Sequence, residues 1–203
     1  MPNLTTLTVH GCDSLRFLFS SSMAKCLGQL KRLKISKCQA LQMVYDKSST
    51  TQLNGFKCSN LNSVEIDSCD SLENVFPASV AKDLKQLSKL KVQNCGLMEE
   101  IVVKEEGPQT TYEEFGFPKV TSMEFDNLPQ LRSFYLGLHV SNWPSLNILK
   151  FTKCGRVEIF AAEFSTYQDK FKLGHPIPTE QPFFLIEKVT ILVHNFFDIR
   201  NFM

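Results

Sequence analysis

The sequence has almost no net charge and no long apolar run. Lysine and arginine number 22 against 21 acidic residues in a chain of 203, so no overall field draws the protein to nucleic acid or to an anionic membrane. No stretch approaches the roughly 18 consecutive apolar residues of a membrane span, and the N-terminus lacks the basic and apolar segments of a secretory signal. We therefore expect a cytoplasmic chain with no membrane span, which binds no nucleic acid.

Motifs for catalysis and cofactor binding are also scarce. No phosphate-binding G-x-x-x-x-G-K-[ST] loop occurs. The four histidines have no cysteine, serine or carboxylate neighbours at a spacing typical of a catalytic triad; they are His10, His139, His175 and His194. The acidic groups Glu99-Glu100 and Glu105-Glu106 are interpreted as solvated loop charge rather than as paired catalytic carboxylates. The sequence predicts no enzyme and no cofactor.

The seven cysteines are an odd number and are widely spread. Metal sites need clustered ligands, whereas five of the cysteines lie one or more whole repeats apart at the same offset. They are Cys12, Cys38, Cys69, Cys95 and Cys154. We expect each to be a buried thiol beneath the turn that follows a strand, with no metal and no disulfide framework.

An internal repeat dominates the sequence. The pattern Leu-x-x-Leu-x-Leu-x-x-Cys-x-x-Leu begins six times, with leucine in place of cysteine in the fifth copy. The copies start at Leu4, Leu30, Leu61, Leu87, Val120 and Leu146. Their spacings of 26, 31, 26, 33 and 26 residues alternate between short and long. Matched stretches such as Cys12-Asp13-Ser14-Leu15 and Cys69-Asp70-Ser71-Leu72 indicate duplication of a two-repeat unit.

Each copy carries apolar residues with the period of two that places them on one face of a short strand. One such strand cannot bury its apolar face alone, but stacked copies form a parallel sheet over a continuous core. The sequence therefore predicts an α/β leucine-rich-repeat solenoid, a horseshoe with a concave parallel sheet and with short helices and loops on the convex side. The strands should lie at Leu7, Leu33, Val64, Leu90, Met123 and Leu149.

Helical spacing predicts two of the convex helices. One places Met23, Leu27 and Leu30 on one face, and the other Val80, Leu84 and Leu87. Segments rich in polar residues and Gly-Pro predict loops at Asp46–Asn60 and Lys104–Gly116.

Six repeats in pairs occupy residues 1–164, and residues 165–203 are predicted to be a degenerate terminal repeat or an irregular tail. Prolines at 176, 178 and 182 interrupt regular structure there. The final segment matches the repeat in part, with Val189 and Ile191 in register and His194 at the cysteine position.

These cysteine-type repeats resemble the repeat region of plant coiled-coil nucleotide-binding leucine-rich-repeat disease resistance proteins. The resemblance extends from Leu4 to about Lys188 and depends on Cys-Asp-Ser-Leu at 12 and 69, Phe117-Pro118-Lys119-Val120, Phe134-Tyr135 and Trp143-Pro144. It implies an intracellular innate immune receptor whose repeats sense a pathogen effector or a guarded host protein and restrain a nucleotide-binding module. That module is missing, so a fragment or truncated product is expected. The alternative is a leucine-rich-repeat adaptor or substrate receptor unrelated to immunity.

The repeat register also predicts a partner-binding surface on the concave face. Its central outward row is Thr8, Lys34, Glu65, Lys91, Glu124 and Lys150, flanked by Arg32, Asp67, Lys89 and Asp126. From Lys34 to Lys150 the sign of the charge in this row alternates from one strand to the next. This pattern fits either an ion-pair ladder on the surface or a docking site for a protein with complementary stripes, and it is a poor match for a polyanion. The two predicted loops are the alternative binding surface.

Overall fold

The computed structural model describes residues 4–20, 23, 27–46, 58–105, 113–137 and 139–157, together with the backbone of a strand at 190–194. Its main element is a seven-stranded parallel sheet with the strand order β1-β3-β5-β7-β10-β12-β13. The strands are β1 (Thr6–His10), β3 (Arg32–Ser36), β5 (Ser63–Asp67), β7 (Lys89–Gln93), β10 (Ser122–Asp126), β12 (Ile148–Thr152) and β13 (Thr190–His194). All six predicted strand positions are confirmed, and the fold is an α/β leucine-rich-repeat solenoid.

Alternate residues of each strand point into the core. In β3, Leu33 and Ile35 are buried, while Arg32 and Lys34, which alternate with them, are exposed. Each leucine or valine at the first buried position pairs with its counterpart in the next strand, as Leu33 does with Val64. Burying one such side chain contributes about 1.5–3 kcal/mol, so these rows account for much of the core.

The strand β1 packs less completely than the others. Leu7 and Val9 are only half-buried, whereas the equivalent Leu33 and Ile35 are buried. The reason is geometric, because β1 lies at the end of the strand order and pairs only with β3. A solenoid repeat needs a neighbour on each side to cover its core face.

The last strand has a different register from the one predicted. Ile191 pairs with Leu149, and His194 pairs with Thr152 at the end of β12. The cysteine position of the preceding repeat is Cys154, which is two residues beyond Thr152. The prediction that His194 takes the cysteine position is therefore wrong. Side chains alternate with a period of two, so a slip of two residues keeps the same residues on the same face and the apolar pattern cannot distinguish the registers. Apart from this strand, residues 165–203 lie outside the described residues.

The convex side is built mainly from small parallel sheets, which the sequence did not predict. Strand β2 (Phe17–Phe19) pairs with β4 (Met43–Tyr45), β6 (Phe76–Pro77) pairs with β8 (Val102–Val103), and β9 (Glu113–Gly116) pairs with β11 (His139–Asn142). Aromatic and β-branched residues, which favour strands, make up at least half of β2, β4, β6 and β8.

One convex helix is present among the described residues, and it is shorter than predicted. Helix α1 spans Ala78–Lys82 and begins after Pro77. Val80 lies in it, but Leu84 and Leu87 follow its end and are buried in turns. The other predicted helix is wrong at its C-terminal end, because Leu27–Leu30 form a turn closed by the hydrogen bond from the N–H of Leu30 to the carbonyl of Leu27, while residues 21–22 and 24–26 lie outside the described residues.

Of the two predicted loops, only the second contains a strand among its described residues. Glu113–Gly116, placed in the second loop, forms β9. Cys58, placed in the first, is fully buried and its sulfur lies 3.4 Å from the hydroxyl of Tyr45. Residues 47–57 and 106–112 lie outside the described residues.

A left-handed residue follows each strand of the first six repeats. These residues are Gly11, Lys37, Ser68, Asn94, Asn127 and Lys153, with φ between 53° and 63°. This conformation turns the backbone N–H toward the next repeat. The N–H of Lys37 donates to the carbonyl of Asp67, and that of Ser68 to the carbonyl of Gln93. The turns therefore extend the hydrogen-bond ladder one residue beyond the strands.

Candidate protein-interaction surface

The outward side chains of the first six strands of the main sheet form three rows across the concave face. The central row is Thr8, Lys34, Glu65, Lys91, Glu124 and Lys150, and each of these residues pairs directly with the next. The predicted central row is therefore a physical row of neighbours. Charge along it alternates from Lys34 to Lys150.

The two flanking rows carry charges of opposite sign. The row at the start of the strands contains Thr6, Arg32, Ser63, Lys89, Ser122 and Ile148, and its charged members are basic. The row at their end contains His10, Ser36, Asp67, Gln93, Asp126 and Thr152, and its carboxylates are Asp67 and Asp126. The concave face thus has a basic edge and an acidic edge, a polarity that was not predicted from the sequence.

Glu65 is the centre of the ion pairs on this face. Its carboxylate lies 3.7 Å from the ammonium of Lys34 and 3.9 Å from that of Lys89. The side chain of Lys34 is 58% exposed, that of Glu65 is 39% exposed and that of Lys89 is 40% exposed. Exposed pairs of this kind contribute about 0–1 kcal/mol, so a partner could replace them at little cost.

The other half of the central row is less neutralised. Among the residues that the structure describes, no carboxylate lies within ion-pair distance of Lys91 or Lys150. Glu124 accepts a 3.2 Å hydrogen bond from the hydroxyl of Ser122 on its own strand. These three half-buried residues therefore keep charge available for another molecule.

A ladder of side-chain hydrogen bonds lines the acidic edge. The amide of Asn94 donates to the carboxylate of Asp67 over 2.9 Å, and the hydroxyl of Ser68 donates to the same oxygen over 3.0 Å. Burial raises the pKa of Asp67, but hydrogen bonds from Asn94, Gln93 and Ser68, with the charge of Lys91, outweigh it and lower the pKa. The carboxylate therefore stays ionised.

Sequence reasoning missed Asn94 and Ser68. For Asn94 the available signal was the residue type at the left-handed position, because asparagine and glycine tolerate positive φ better than most residues, whereas the serine at 68 carries no such signal. Gly11, Asn94 and Asn127 share that position in their repeats.

The repeat cysteines lie beneath this edge and serve the fold. Cys38, Cys69, Cys95 and Cys154 are buried, and each thiol donates to the carbonyl two residues before it. Burial raises the pKa of Cys69 to about 11 and that of Cys95 to about 12, so neither supplies a thiolate nucleophile. Cys12 differs from the prediction, since it is exposed. It belongs to the first repeat, whose core is covered from one side only.

The six described cysteines are all free thiols. Within the described part of the chain, no group of three or more histidine, cysteine or acidic side chains is placed to hold a metal ion. In the same part, no helix is both long and apolar enough to cross a membrane.

Two of the acidic residues interpreted as solvated charge have structural contacts instead. Glu105 accepts hydrogen bonds from the backbone N–H and the hydroxyl of Ser79, at 2.6 and 2.9 Å, and so caps the first turn of α1. Glu100 accepts from the backbone N–H of Leu136 over 3.1 Å. Both contacts join neighbouring repeats, and a carboxylate at a helix N-terminus is favoured by the orphan N–H groups there.

His139, by contrast, lies in an aromatic cluster on the convex side, formed with Phe115, Phe134 and Tyr135. It is 7% exposed, and its Nδ1 lies 3.0 Å from the carbonyl of Gly137. Burial lowers its pKa, although the hydrogen bond to Gly137 acts in the opposite direction. This histidine lies on β11, outside the main sheet that carries the concave charges, and packs among buried aromatic rings.

Comparisons with known proteins support the repeat assignment. The family model described as plant disease resistance protein RPS2-like, leucine-rich repeats, matches residues 1–39 and 39–96. No curated protein and no solved structure matched the chain. The matched family is a repeat family rather than an enzymatic one. The chain is therefore a leucine-rich-repeat solenoid, and its residues 1–96 are similar to the repeats of RPS2-like plant disease resistance proteins.

Proposed function

We propose that this chain is the protein-recognition module of a plant innate immune receptor and that the concave face of its sheet binds the partner. The observation that carries the proposal is the central row from Lys34 to Lys150, in which direct neighbours alternate in charge. The match of residues 1–96 to resistance-protein repeats supports the biological setting.

The charge pattern favours a protein over a nucleic acid or a small molecule. A polyanion presents one sign of charge and would meet Glu65 and Glu124 as well as the lysines. A protein can present both signs at chosen positions, and such matching fixes the register of a complex and its rate of formation.

The partner is a pathogen effector, a guarded host protein or the receptor's own nucleotide-binding module. These follow from the resemblance to resistance proteins, in which the repeats sense such proteins and restrain the module. The setting is the plant cytoplasm. The repeats act by binding and carry out no chemistry.

The test is a double charge reversal, Glu65→Lys with Glu124→Lys, measured against a partner first identified by proximity labelling in infected plant tissue. Both residues are on the open face, so folding should survive while affinity falls in a salt-sensitive way. A matched control is Glu73→Lys with Glu99→Lys, which changes net charge equally at exposed positions outside the sheet. Equal affinity of the concave variant and the unaltered chain would reject the concave face.

A further inference from the structure

We propose that the occupant of the concave face is an α-helix of a partner protein, lying across the strands, with acidic, basic and acidic side chains at i, i+3 or i+4, and i+7. This inference rests on the proposed function, because it specifies what the concave face recognises. It is carried by Lys91, Glu124 and Lys150, which are direct neighbours in the central row.

These three residues are the part of the row that is open to a partner. Glu65 is already approached by two lysines, at 3.7 and 3.9 Å. In the described part of the chain, Lys91 and Lys150 have no carboxylate within 4.0 Å. A ligand carboxylate over each lysine therefore displaces no ion pair.

The spacing of the row matches an α-helix. Neighbouring strands lie about 4.8 Å apart, so Lys91 and Lys150, two strands apart, are separated by about 9.6 Å. Residues i and i+7 of a helix are about 10.5 Å apart along its axis, with i+3 and i+4 at about 4.5 and 6.0 Å. The mismatch of about 1 Å is within the reach of flexible lysine and glutamate side chains.

An extended peptide matches less well. Its same-face residues repeat every 6.6–6.8 Å or so, which gives about 13 Å over two steps and overshoots Lys150 by nearly 4 Å. On such a peptide the third same-face side chain would no longer lie opposite Lys150, so its charge could not pair with that lysine. The row therefore selects the helical form.

The flanking rows fix the rotation of the helix. The two flanking rows are four residues apart along each strand, or about 13 Å, and over β7, β10 and β12 their charged members are Lys89 on the basic edge and Asp126 on the acidic edge. A helix with its side chains is about 10–12 Å wide and fits between them. The bound helix should thus have an acidic flank facing the basic edge and a basic flank facing the acidic edge.

The experiment uses the full chain and two stapled 15-residue helical peptides with alanine-rich backgrounds. One carries Glu, Lys and Glu at positions 4, 8 and 11, and the other carries Lys, Glu and Lys there. Fluorescence anisotropy at two salt concentrations measures their affinities. The unaltered chain should prefer the first peptide by roughly tenfold at low salt, because three weak charge pairs change sign together.

A charge-swapped chain gives the decisive comparison. The triple variant Lys91→Glu, Glu124→Lys and Lys150→Glu should reverse the preference and bind the second peptide more tightly. The control triple variant Lys37→Glu, Asp70→Lys and Lys153→Glu changes net charge equally at exposed turn positions. It should keep the original preference.

Equal binding of both peptides by the unaltered chain, or no reversal in the swapped chain, would overturn the helix inference. A preference for a proline-interrupted version of the first peptide would overturn it too. The proposed function would still stand if Glu65→Lys with Glu124→Lys lowered the affinity for the identified partner. Retained partner affinity in that double variant would instead overturn the proposed function.

Discussion

The side-chain amide of Asn127 donates a 3.0 Å hydrogen bond to the side-chain oxygen of Asn94, 33 residues earlier in the chain. Asn94 in turn donates to Asp67. Both asparagines have φ of 53°, so one residue type meets two requirements, a left-handed turn and a link to the next repeat.

Substituting Asn94 should separate these two contributions. Asn94→Gly removes the hydrogen bonds but tolerates the left-handed backbone, whereas Asn94→Ala also places a Cβ in that conformation. We expect alanine to lower the free energy of unfolding by about 1 kcal/mol more than glycine. Urea unfolding followed by circular dichroism measures both. Equal losses would mean that the backbone conformation contributes nothing.

A charge in the core should unfold the middle of the array. Leu90 is 1% exposed and lies between Val64 and Met123 in the sheet. Leu90→Asp should lower the free energy of unfolding by about 3 kcal/mol or more, because the carboxylate would be buried without a partner. The matched control is Lys91→Asp, one residue along on the open face, which should cost much less. Similar thermal melts of the two variants would contradict the assignment of faces.

Acid should lower the free energy of unfolding through His139, which lies on the convex side. Burial lowers the pKa of this residue below its ordinary 6.5. A protonated histidine is therefore disfavoured in the folded state. The neutral His139 contributes its full share of the free energy of unfolding above about pH 6.5, and this share is lost as the pH falls through the pKa of the folded state. The residue directly beside His139 in the β9–β11 ladder is Glu113, which is acidic.

The variant His139→Phe should remove this part of the pH dependence. Free energies of unfolding at pH 7.5 and pH 5.0 would be compared with those of the unaltered chain, and with His10→Phe as a control at an exposed histidine. If His139→Phe lost as much stability on acidification as the unaltered chain, the buried histidine would not be responsible.

Thiol reactivity should distinguish the first repeat from the others. In a Cys26→Ser background, Cys12 should react rapidly with a maleimide because it is exposed, while Cys38, Cys58, Cys69, Cys95 and Cys154 should react only when the chain unfolds. Mass spectrometry of timed samples counts the labels. A single fast label that persists after Cys12→Ser would show that another repeat opens first.

The repeat offsets were sufficient to predict the main sheet. Leucines at fixed positions, such as Leu7, Leu33 and Leu90, share one burial requirement, and that requirement sets both the strands and their neighbours. The central charged row followed directly, because a parallel register places equivalent residues side by side. Whether a partner uses that row is a property of another molecule and stays a prediction.

The features that were missed depend on contacts between repeats rather than on periodicity within one. The convex strands, such as β2 and β4, are two to four residues long, which is too short to show a clear alternation. The capping of Ser79 by Glu105 joins residues 26 positions apart and leaves no local motif. Cys12 has the repeat cysteine's sequence context, but its exposure is set by position in the stack.

The convex ladders do not treat all repeat boundaries alike. Strands β2 and β4 join the first and second repeats, β6 and β8 the third and fourth, and β9 and β11 the fourth and fifth, whereas the second and third are linked on that side by the isolated bridge between Met43 and Asn74. A genetic duplication or deletion that ends between the second and third repeats divides no convex ladder, but one that ends after the fourth repeat separates β9 from β11. The boundary between the second and third repeats is therefore the one at which the array can gain or lose repeats with the least loss of convex pairing.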